Sequence, residues 1–224
     1  IISFIKMPVN NISNEVFQIS FEKFGSVVYV IKFGKDNILI DTSSEENGQE
    51  LLNRLEKLNI NPRDVHIILL THRHYDHVGN LYMFPNAKVY DEKNIDELNL
   101  IRVRVVRVPG HTKDSLAFLY KNILFSGDTL FHLGIGRTDL KESVSEKMQE
   151  SLNLLKKLNY DILCPGHVWK LIEIGDYWRI FNIFVRMRYV GDFLSLKYDF
   201  PLLILYILSK NLIKLNQKPI RTKK

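Results

Sequence analysis

Cysteine and long hydrophobic runs are scarce in this 224-residue sequence. Its single cysteine, Cys164, excludes an intrachain disulfide framework, so we expect a reducing, cytoplasmic setting. The longest unbroken apolar stretch runs from Leu202 to Leu208, far short of the ~20 residues that a membrane-spanning helix needs. The first residues also lack the layout of a secretory signal peptide. The sequence therefore predicts a protein without a membrane span.

Acidic residues are outnumbered, since 31 Lys and Arg stand against 25 Asp and Glu and give a formal net charge of +6. Much of the excess lies near the end of the sequence, in Lys210, Lys214, Lys218, Arg221, Lys223 and Lys224. We interpret this segment as a solvated basic tail. An anionic partner (nucleic acid, a lipid headgroup or an acidic substrate) is the alternative.

Apolar periodicity indicates a layered α/β protein. Leucines spaced by three and four residues from Leu51 to Leu58 predict one helix, and Val144 to Leu158 predicts a second. The predicted strands are Val16–Phe21, Val27–Phe33, Ile38–Asp41, Val65–Leu70, Ala87–Tyr90, Val103–Val108, Leu116–Tyr120, Ile123–Phe125 and Asp161–Cys164. Strands in a meander, followed by strands interleaved with helices, favour helices packed outside a sheet sandwich.

The pattern changes after about Ile172, where the remaining sequence becomes helical and rich in aromatic residues. We see no internal repeat, low-complexity segment or flexible linker. The sequence therefore predicts a main domain over residues 1–171 and a helical C-terminal extension over residues 172–224 that packs on it.

Five of the seven histidines fall in three short motifs, each at the end of a predicted strand. The motifs are Thr71-His72-Arg73-His74-Tyr75-Asp76-His77, Pro109-Gly110-His111-Thr112 and Pro165-Gly166-His167. A fourth element, Ser126-Gly127-Asp128-Thr129, puts a carboxylate directly after another strand. The glycines allow the sharp turn at which a strand delivers its side chain.

The spacing of the first motif suits metal binding. His72 and His74 are two residues apart, so in an extended turn they point to the same side. Asp76 and His77, past the turn, can face a second point close by. Imidazole nitrogen and carboxylate oxygen suit Zn²⁺ at ~2.0–2.2 Å. Two coordination shells need further donors, and the candidates are His111, Asp128 and His167.

A single histidine on a strand is more often a core or surface residue than a metal ligand. Five histidines and two aspartates at strand ends, beside glycine turns, instead indicate a metal site. His66 and His132 lack this context, and His66 is interpreted as structural because it lies in an apolar run.

The HxHxDH segment, with its downstream Gly-His, Gly-Asp and Gly-His elements, resembles the metallo-β-lactamase superfamily in order and spacing from about Val16 to Lys170. The resemblance implies an α/β fold, a four-layer αββα sandwich with its active site along one edge. It also implies a first metal site and a second one that share a bridging carboxylate. The implied residues are His72, His74 and His111 for the first site, Asp76, His77 and His167 for the second, and Asp128 for the bridge. Asp41 matches an early aspartate that supports the metal-binding loop.

The stretch from Phe125 to Leu140 is similar to the glyoxalase II-like branch, which contains hydroxyacylglutathione hydrolases and persulfide dioxygenases. In glyoxalase II a basic residue at the place of Arg137 contacts the glutathione part of the substrate; a salt-bridged loop arginine is the alternative. The sequence departs from the branch at Lys141-Glu142-Ser143, where a Pro-Gly-Gly turn is common. The glutathione-binding C-terminal helices of that branch cannot be aligned beyond Lys170.

The resemblance implies a hydrolase with two zinc ions, iron or manganese being the alternatives, in which activated water attacks a thioester or related ester. Asp76 and Asp128 are the candidate catalytic residues, and Tyr75 and Arg137 are the candidate substrate contacts. We expect a small acyl substrate with anionic character; the oligomeric state stays open. A lactonase, an iron-dependent persulfide dioxygenase and a nuclease of this fold are the rivals, and the lack of a recognisable nucleic-acid-binding insert argues against the nuclease.

Overall fold

The computed structural model describes residues 9–33, 36–99, 102–132 and 134–167. The α-helices of this part are α1 (Gly48–Lys57), α2 (Tyr75–Val78) and α3 (Ser145–Lys156). Its strands are β1 (Val9–Asn11), β2 (Val16–Ile19), β3 (Val28–Phe33), β4 (Asp36–Ile40), β5 (Val65–Leu69), β6 (Lys88–Tyr90), β7 (Val103–Arg107), β8 (Leu116–Tyr120), β9 (Ile123–Gly127), β10 (Leu130–Phe131), β11 (Gly134–Ile135) and β12 (Ile162–Pro165).

Contacts divide the chain into two units, Ile1–Trp169 and Lys170–Lys224. All of the described residues belong to the first unit. The helical extension predicted for residues 172–224 and the basic tail lie outside the described residues, so both stay predictions.

The strands form two main sheets. The first has the order β1-β2-β3-β4-β5-β6, antiparallel as far as β4 and parallel from β4 to β6. The second has the order β12-β9-β8-β7, with β12 parallel to β9 and the other pairs antiparallel. Strands β10 and β11 form a small separate ribbon. Strands β4, β5, β9 and β12 all end just before residues of the predicted site.

Buried apolar side chains form three clusters, one between the two sheets and one on the outer face of each sheet. Because successive side chains of a strand point to opposite faces, one set from each sheet fills a common core, for example Tyr29 of β3 with Phe118 and Phe125 of the second sheet. The outward set of the first sheet packs with α1, as Leu39 does with Leu55. The outward set of the second sheet packs with α3, in a cluster that contains Ala117, Leu124 and Leu155. The layers are therefore helix, sheet, sheet and helix, which confirms the predicted αββα sandwich.

The predicted strands are present, with ends that differ by a few residues, and both predicted helices form. Three short strands, β1, β10 and β11, were not expected from the sequence. The short helix after His74, Tyr75–Val78, was also not expected from the sequence. His66, interpreted as structural, is exposed on β5. Among the helices that the structure describes, none has the length and apolarity to cross a bilayer.

Two neighbouring leucines of α3 offer a matched test of the layer between α3 and the second sheet. Leu155 is fully buried, whereas Leu154 is 41% exposed. We expect Leu155→Ala to lower the free energy of unfolding by about 2–5 kcal/mol, because it leaves a cavity in that layer. Leu154→Ala is expected to change it by less than about 0.5 kcal/mol. Urea unfolding measures both, and equal losses would contradict this packing.

Candidate metal centre

Four connections bring the predicted site residues to one edge of the sandwich. The loop after β5 and helix α2 carry the first motif, and the β7–β8 connection carries His111. Asp128 directly follows β9, and His167 follows β12. The structure thus brings together all seven of the predicted donors, in three overlapping groups whose donor atoms lie within 4.8 Å of one another.

The first group is His72, His74 and His111. Nδ1 of His74 lies 2.9 Å from Nε2 of His72 and 3.0 Å from Nε2 of His111. The three nitrogens therefore converge on one point, in the three-histidine arrangement that suits a tetrahedral metal with one open position.

The second group is Asp76, His77 and His167, and the third contains His72, His77 and Asp128. Oδ1 of Asp128 lies 3.4 Å from Nε2 of His77, and its Oδ2 lies 3.4 Å from Nε2 of His167 and 3.5 Å from Nε2 of His111. The Asp128 carboxylate thus faces donors of both the first and the second group. This is the position that a bridging ligand requires.

Hydrogen bonds on the far side of three rings fix which nitrogen faces the centre. Nδ1 of His111 donates to the backbone carbonyl of Arg137 at 2.7 Å. Nδ1 of His77 donates to Oδ2 of Asp41 at 2.8 Å, and Nδ1 of His72 lies 3.1 Å from the hydroxyl of Thr71. Since the second nitrogen is held by these partners, Nε2 of each ring carries the lone pair that a metal would use.

Asp41 is buried, as expected of a residue that supports the metal-binding loop. Besides His77, its carboxylate accepts hydrogen bonds from the backbone N–H of Thr71 at 2.8 Å and from the Thr71 hydroxyl at 2.7 Å. The backbone of Asp41 is left-handed, with φ of 60°. Such a conformation costs free energy in a residue other than glycine, and the three hydrogen bonds offset it.

Glycine is required at two places for different reasons. Gly127 has φ of +51°, which turns the chain between β9 and Asp128. Gly166 needs no such angle; a Cβ there would lie 2.3 Å from Oδ1 of Asp128 and 2.9 Å from Cε1 of His77. The glycine before His167 is therefore required by close approach to the donors, rather than by the sharp turn expected from the sequence.

The charges of the centre favour a bound cation. Burial alone would lower the pKa of His77, but Asp41 and Asp128 outweigh it and raise that pKa well above its usual value. Burial likewise opposes ionisation of Asp128, yet His77 and His167 bring the pKa of its carboxyl well below the usual range. The pKa of His72 is lowered well below normal by burial and by its histidine neighbours, which keeps the ring neutral and able to coordinate.

Two buried atoms show that these donors fit a metal. Nε2 of His77 and Oδ1 of Asp128 have no hydrogen-bond partner among the described residues, although they lie 3.4 Å apart. The raised pKa of His77 means that its Nε2 carries a proton at neutral pH when no metal is bound, so the place between the two atoms favours positive charge. Such a pair is stable in a protein interior when a cation lies between the two atoms. The donor set therefore fits a metal pair that shares Asp128.

The two predicted substrate contacts lie at the rim. Tyr75 is 70% exposed and follows His74 directly. The guanidinium of Arg137 is exposed and donates two hydrogen bonds, of 2.9 and 3.1 Å, to the carboxylate of Asp139. In the structure Arg137 is therefore a salt-bridged loop arginine, which was the alternative interpretation. The backbone carbonyl of Arg137 accepts the hydrogen bond from Nδ1 of His111, a contact that the sequence did not suggest.

Phe24 is a rim residue that the sequence did not identify. Its ring is 67% exposed, lies 6.4 Å from that of Tyr75 and stacks on His167 at 5.5 Å with an interplanar angle of 18°. Phe24 belongs to the β2–β3 connection, which carries no metal-binding motif. No local signal distinguished this aromatic residue from others in the sequence.

The chain is similar to known proteins in sequence and in fold. A family model described as the metallo-beta-lactamase superfamily matches residues 22–98 and 88–167. A probable metallo-hydrolase of Methanocaldococcus jannaschii is 31% identical over 193 residues, with 68% of this chain and 90% of that protein covered. A hydroxyacylglutathione hydrolase of Buchnera aphidicola subsp. Baizongia pistaciae is 33% identical over 159 residues, with 62% of this chain and 61% of the relative covered.

Among solved structures, TTHA1623 in a di-iron-bound form is similar with a TM-score of 0.58 and 24% identity, and the match covers 68% of this chain and 92% of that one. At this identity the likeness is one of fold. The match to the hydroxyacylglutathione hydrolase leaves more than a third of that relative's length uncovered.

Replacement of the Asp41 carboxylate tests its role in the centre. In Asp41→Asn the amide nitrogen would face the donors of Thr71 or His77, so we expect a loss of about 2–4 kcal/mol in the free energy of unfolding. Zinc retention on dialysis should fall as well, because the His77 ring loses its orientation. Asp64→Asn, at an exposed position before β5, is the control. Equal stability and zinc content in the two variants would contradict the role of Asp41.

Proposed function

The chain belongs to the metallo-beta-lactamase superfamily, and from that premise we propose that it is a thioester hydrolase of the glyoxalase II type. The observation that carries the proposal is Asp128, whose carboxylate faces donors of two complete groups. Relatives described as hydroxyacylglutathione hydrolases support the choice of a thioester. The natural substrate would be a small, anionic acyl compound.

Two metal ions are proposed to bind, one at His72, His74 and His111 and the other at Asp76, His77 and His167, with Asp128 shared. Imidazole nitrogens and carboxylate oxygens are borderline donors that suit zinc, and they also accept iron or manganese. We propose zinc. When bound, a metal pair supplies Lewis acidity and lowers the pKa of water toward ~7.

The carboxylates of Asp76 and Asp128 are proposed to orient the attacking water and take up its proton. Burial raises the pKa of Asp76, but the hydrogen bond from His167 and the charge of His77 outweigh it and lower that pKa below its usual value. Both carboxyl groups are therefore ionised at neutral pH. Each can accept a hydrogen bond from water beside the acyl carbon.

The reaction needs no side-chain nucleophile. Cys164 is buried on β12, and burial raises the pKa of its thiol to about 12. At neutral pH the sulfur is therefore a thiol rather than the reactive thiolate. Hydrolysis by activated water is consistent with this arrangement.

Tyr75 and Arg137 are proposed to contact the substrate outside the metal donors. The exposed ring of Tyr75 offers an apolar surface, and the guanidinium of Arg137 can exchange Asp139 for a substrate carboxylate. A carboxylate distant from the scissile bond would be bound equally in the ground state and the transition state. This contact would therefore set affinity rather than rate.

Replacement of Asp128 tests the shared carboxylate. The parent chain is expected to bind about two zinc ions, and Asp128→Ala to retain at most one and to lose more than about 100-fold in thioesterase activity. His132→Ala is the control, because His132 is exposed in the β10–β11 turn. Elemental analysis and thioester hydrolysis measure both properties.

Several outcomes would overturn this proposal. Equal activity of the two variants would remove Asp128 from the centre, and a parent that binds one iron would favour persulfide dioxygenation. Parent activity on a lactone or on RNA, without thioester cleavage, would favour the lactonase or the nuclease.

Replacement of Arg137 tests the substrate class. We expect Arg137→Ala to raise KM for a thioester with a carboxylate-bearing thiol carrier by roughly tenfold and to leave kcat nearly unchanged. KM for a neutral thioester should stay the same. Arg104→Ala, at an exposed position of β7, is the control for loss of a surface charge. Steady-state kinetics at fixed ionic strength measures these constants, and equal losses on both substrates would remove the anionic carrier from the proposal.

A further inference from the structure

His167 is held differently from His72, His77 and His111. The far nitrogens of His72, His77 and His111 have side-chain or backbone partners. Nδ1 of His167 makes no hydrogen bond to another residue of the described part of the chain, and the ring rests against Phe24. The position of this ring is therefore set mainly by the backbone that carries it.

That backbone is held on three sides. The Tyr29 hydroxyl donates to the carbonyl of Pro165 at 2.7 Å. The N–H of Val27 donates to the carbonyl of Gly166 at 2.7 Å, and the N–H of Gly166 donates to the carbonyl of Gly127 at 2.8 Å. Of these three, the bond from Tyr29 is made by a side chain, so a substitution can remove it without altering the backbone.

The hydrogen bond from Tyr29 is made at an irregular point of β12. The register between β12 and β9 shifts between Cys164 and Pro165, which is typical of a bulge that redirects the following residues. Tyr29 is 2% exposed, and its side chain extends through the core from the first sheet to the second. Its hydrogen-bond partner, Pro165, is 136 residues away in the sequence. A buried carbonyl without a donor is unfavourable, so this bond holds the redirected turn in place.

The turn determines where the His167 ring points. Its Nε2 lies 3.3 Å from Oδ2 of Asp76 and 3.4 Å from Oδ2 of Asp128. The first group, His72, His74 and His111, takes no residue from this turn. A small shift of the turn would therefore move one donor of the second group and leave the first group intact.

We infer that Tyr29 is a positioning residue for the second metal: its hydroxyl holds the Pro165–His167 turn, with Phe24 against the ring, and so sets the affinity of the Asp76–His77–His167 site. The inference rests on the dinuclear centre of the proposed function. Burial, and then Cys164, raise the pKa of Tyr29 well above its usual value, so the hydroxyl keeps its proton at every pH used for such measurements.

Tyr120 provides a matched control. It belongs to the same core cluster as Tyr29, is 1% exposed and donates its hydroxyl hydrogen bond to Oε2 of Glu15 at 2.6 Å. It lies at the β8–β9 turn, at the other end of β9 from Asp128. Tyr120→Phe therefore removes a comparable hydroxyl from the core without touching the His167 turn.

The experiment measures stepwise zinc affinity of the full 224-residue chain. Metal-free protein is titrated with Zn²⁺ in competition with a chromophoric chelator, which yields a dissociation constant for each ion. We expect Tyr29→Phe to raise one of the two constants roughly tenfold, the loss typical of partners that orient a ligand, and to leave the other within about twofold. Tyr120→Phe should leave both constants unchanged.

Phe24→Ala keeps the test decisive if Tyr29→Phe fails to fold, because Phe24 is 67% exposed and contributes little to the core. It should raise the same dissociation constant as Tyr29→Phe does, by a smaller factor. Circular dichroism before titration establishes that each variant is folded.

The inference is overturned if Tyr29→Phe matches the parent in both constants, if both constants rise equally, or if Tyr120→Phe has the same effect. Where Tyr29→Phe does not fold, unchanged affinity in Phe24→Ala overturns it. A parent that binds a single zinc ion overturns the dinuclear proposal itself. Two zinc ions in the parent with no selective loss in the variants overturn the role of Tyr29 alone.

Discussion

The buried carboxylate of Asp41 is the constraint on which the rest of the centre depends. It lies at the end of β4 and accepts hydrogen bonds from the backbone and hydroxyl of Thr71 and from the ring of His77. An ionised carboxylate is costly to bury unless hydrogen bonds surround it. The loop after β5 must therefore keep the conformation that supplies those donors, and the HxHxDH segment is fixed with it.

The remaining geometry follows from the orientation of His77. With Nδ1 on Asp41, the ring directs Nε2 at Oδ1 of Asp128, 3.4 Å away. The two carboxylates raise the pKa of His77, so Nε2 carries a proton at neutral pH when no metal is bound. A metal ion at this place would displace that proton, so metal binding is coupled to deprotonation of His77. The close approach of Gly166 to both residues adds a steric limit, because a side chain there would displace the donors.

Much of the centre could be predicted from the sequence because its donors occur in short motifs at strand ends, where local spacing reports their common direction. The core strands were predictable for a similar reason, since their alternation is strong. Helix α2 was not, because four residues carry no periodic signal. Phe24 and Tyr29 were not, because their roles come from contacts with the turn at His167, more than a hundred residues along the chain.

The buried donors and the exposed rim differ in how strongly their surroundings constrain them. Asp128, His77 and their neighbours are constrained by burial, so a change in any of them alters the whole centre. Arg137 instead makes an exposed ion pair with Asp139, which a competing carboxylate or salt can displace at little cost. The side chains of Tyr75 and Arg137, the two proposed substrate contacts, can therefore be replaced without removing any of the grouped donors. This is why the family resemblance identifies the hydrolytic centre more closely than the molecule it cleaves.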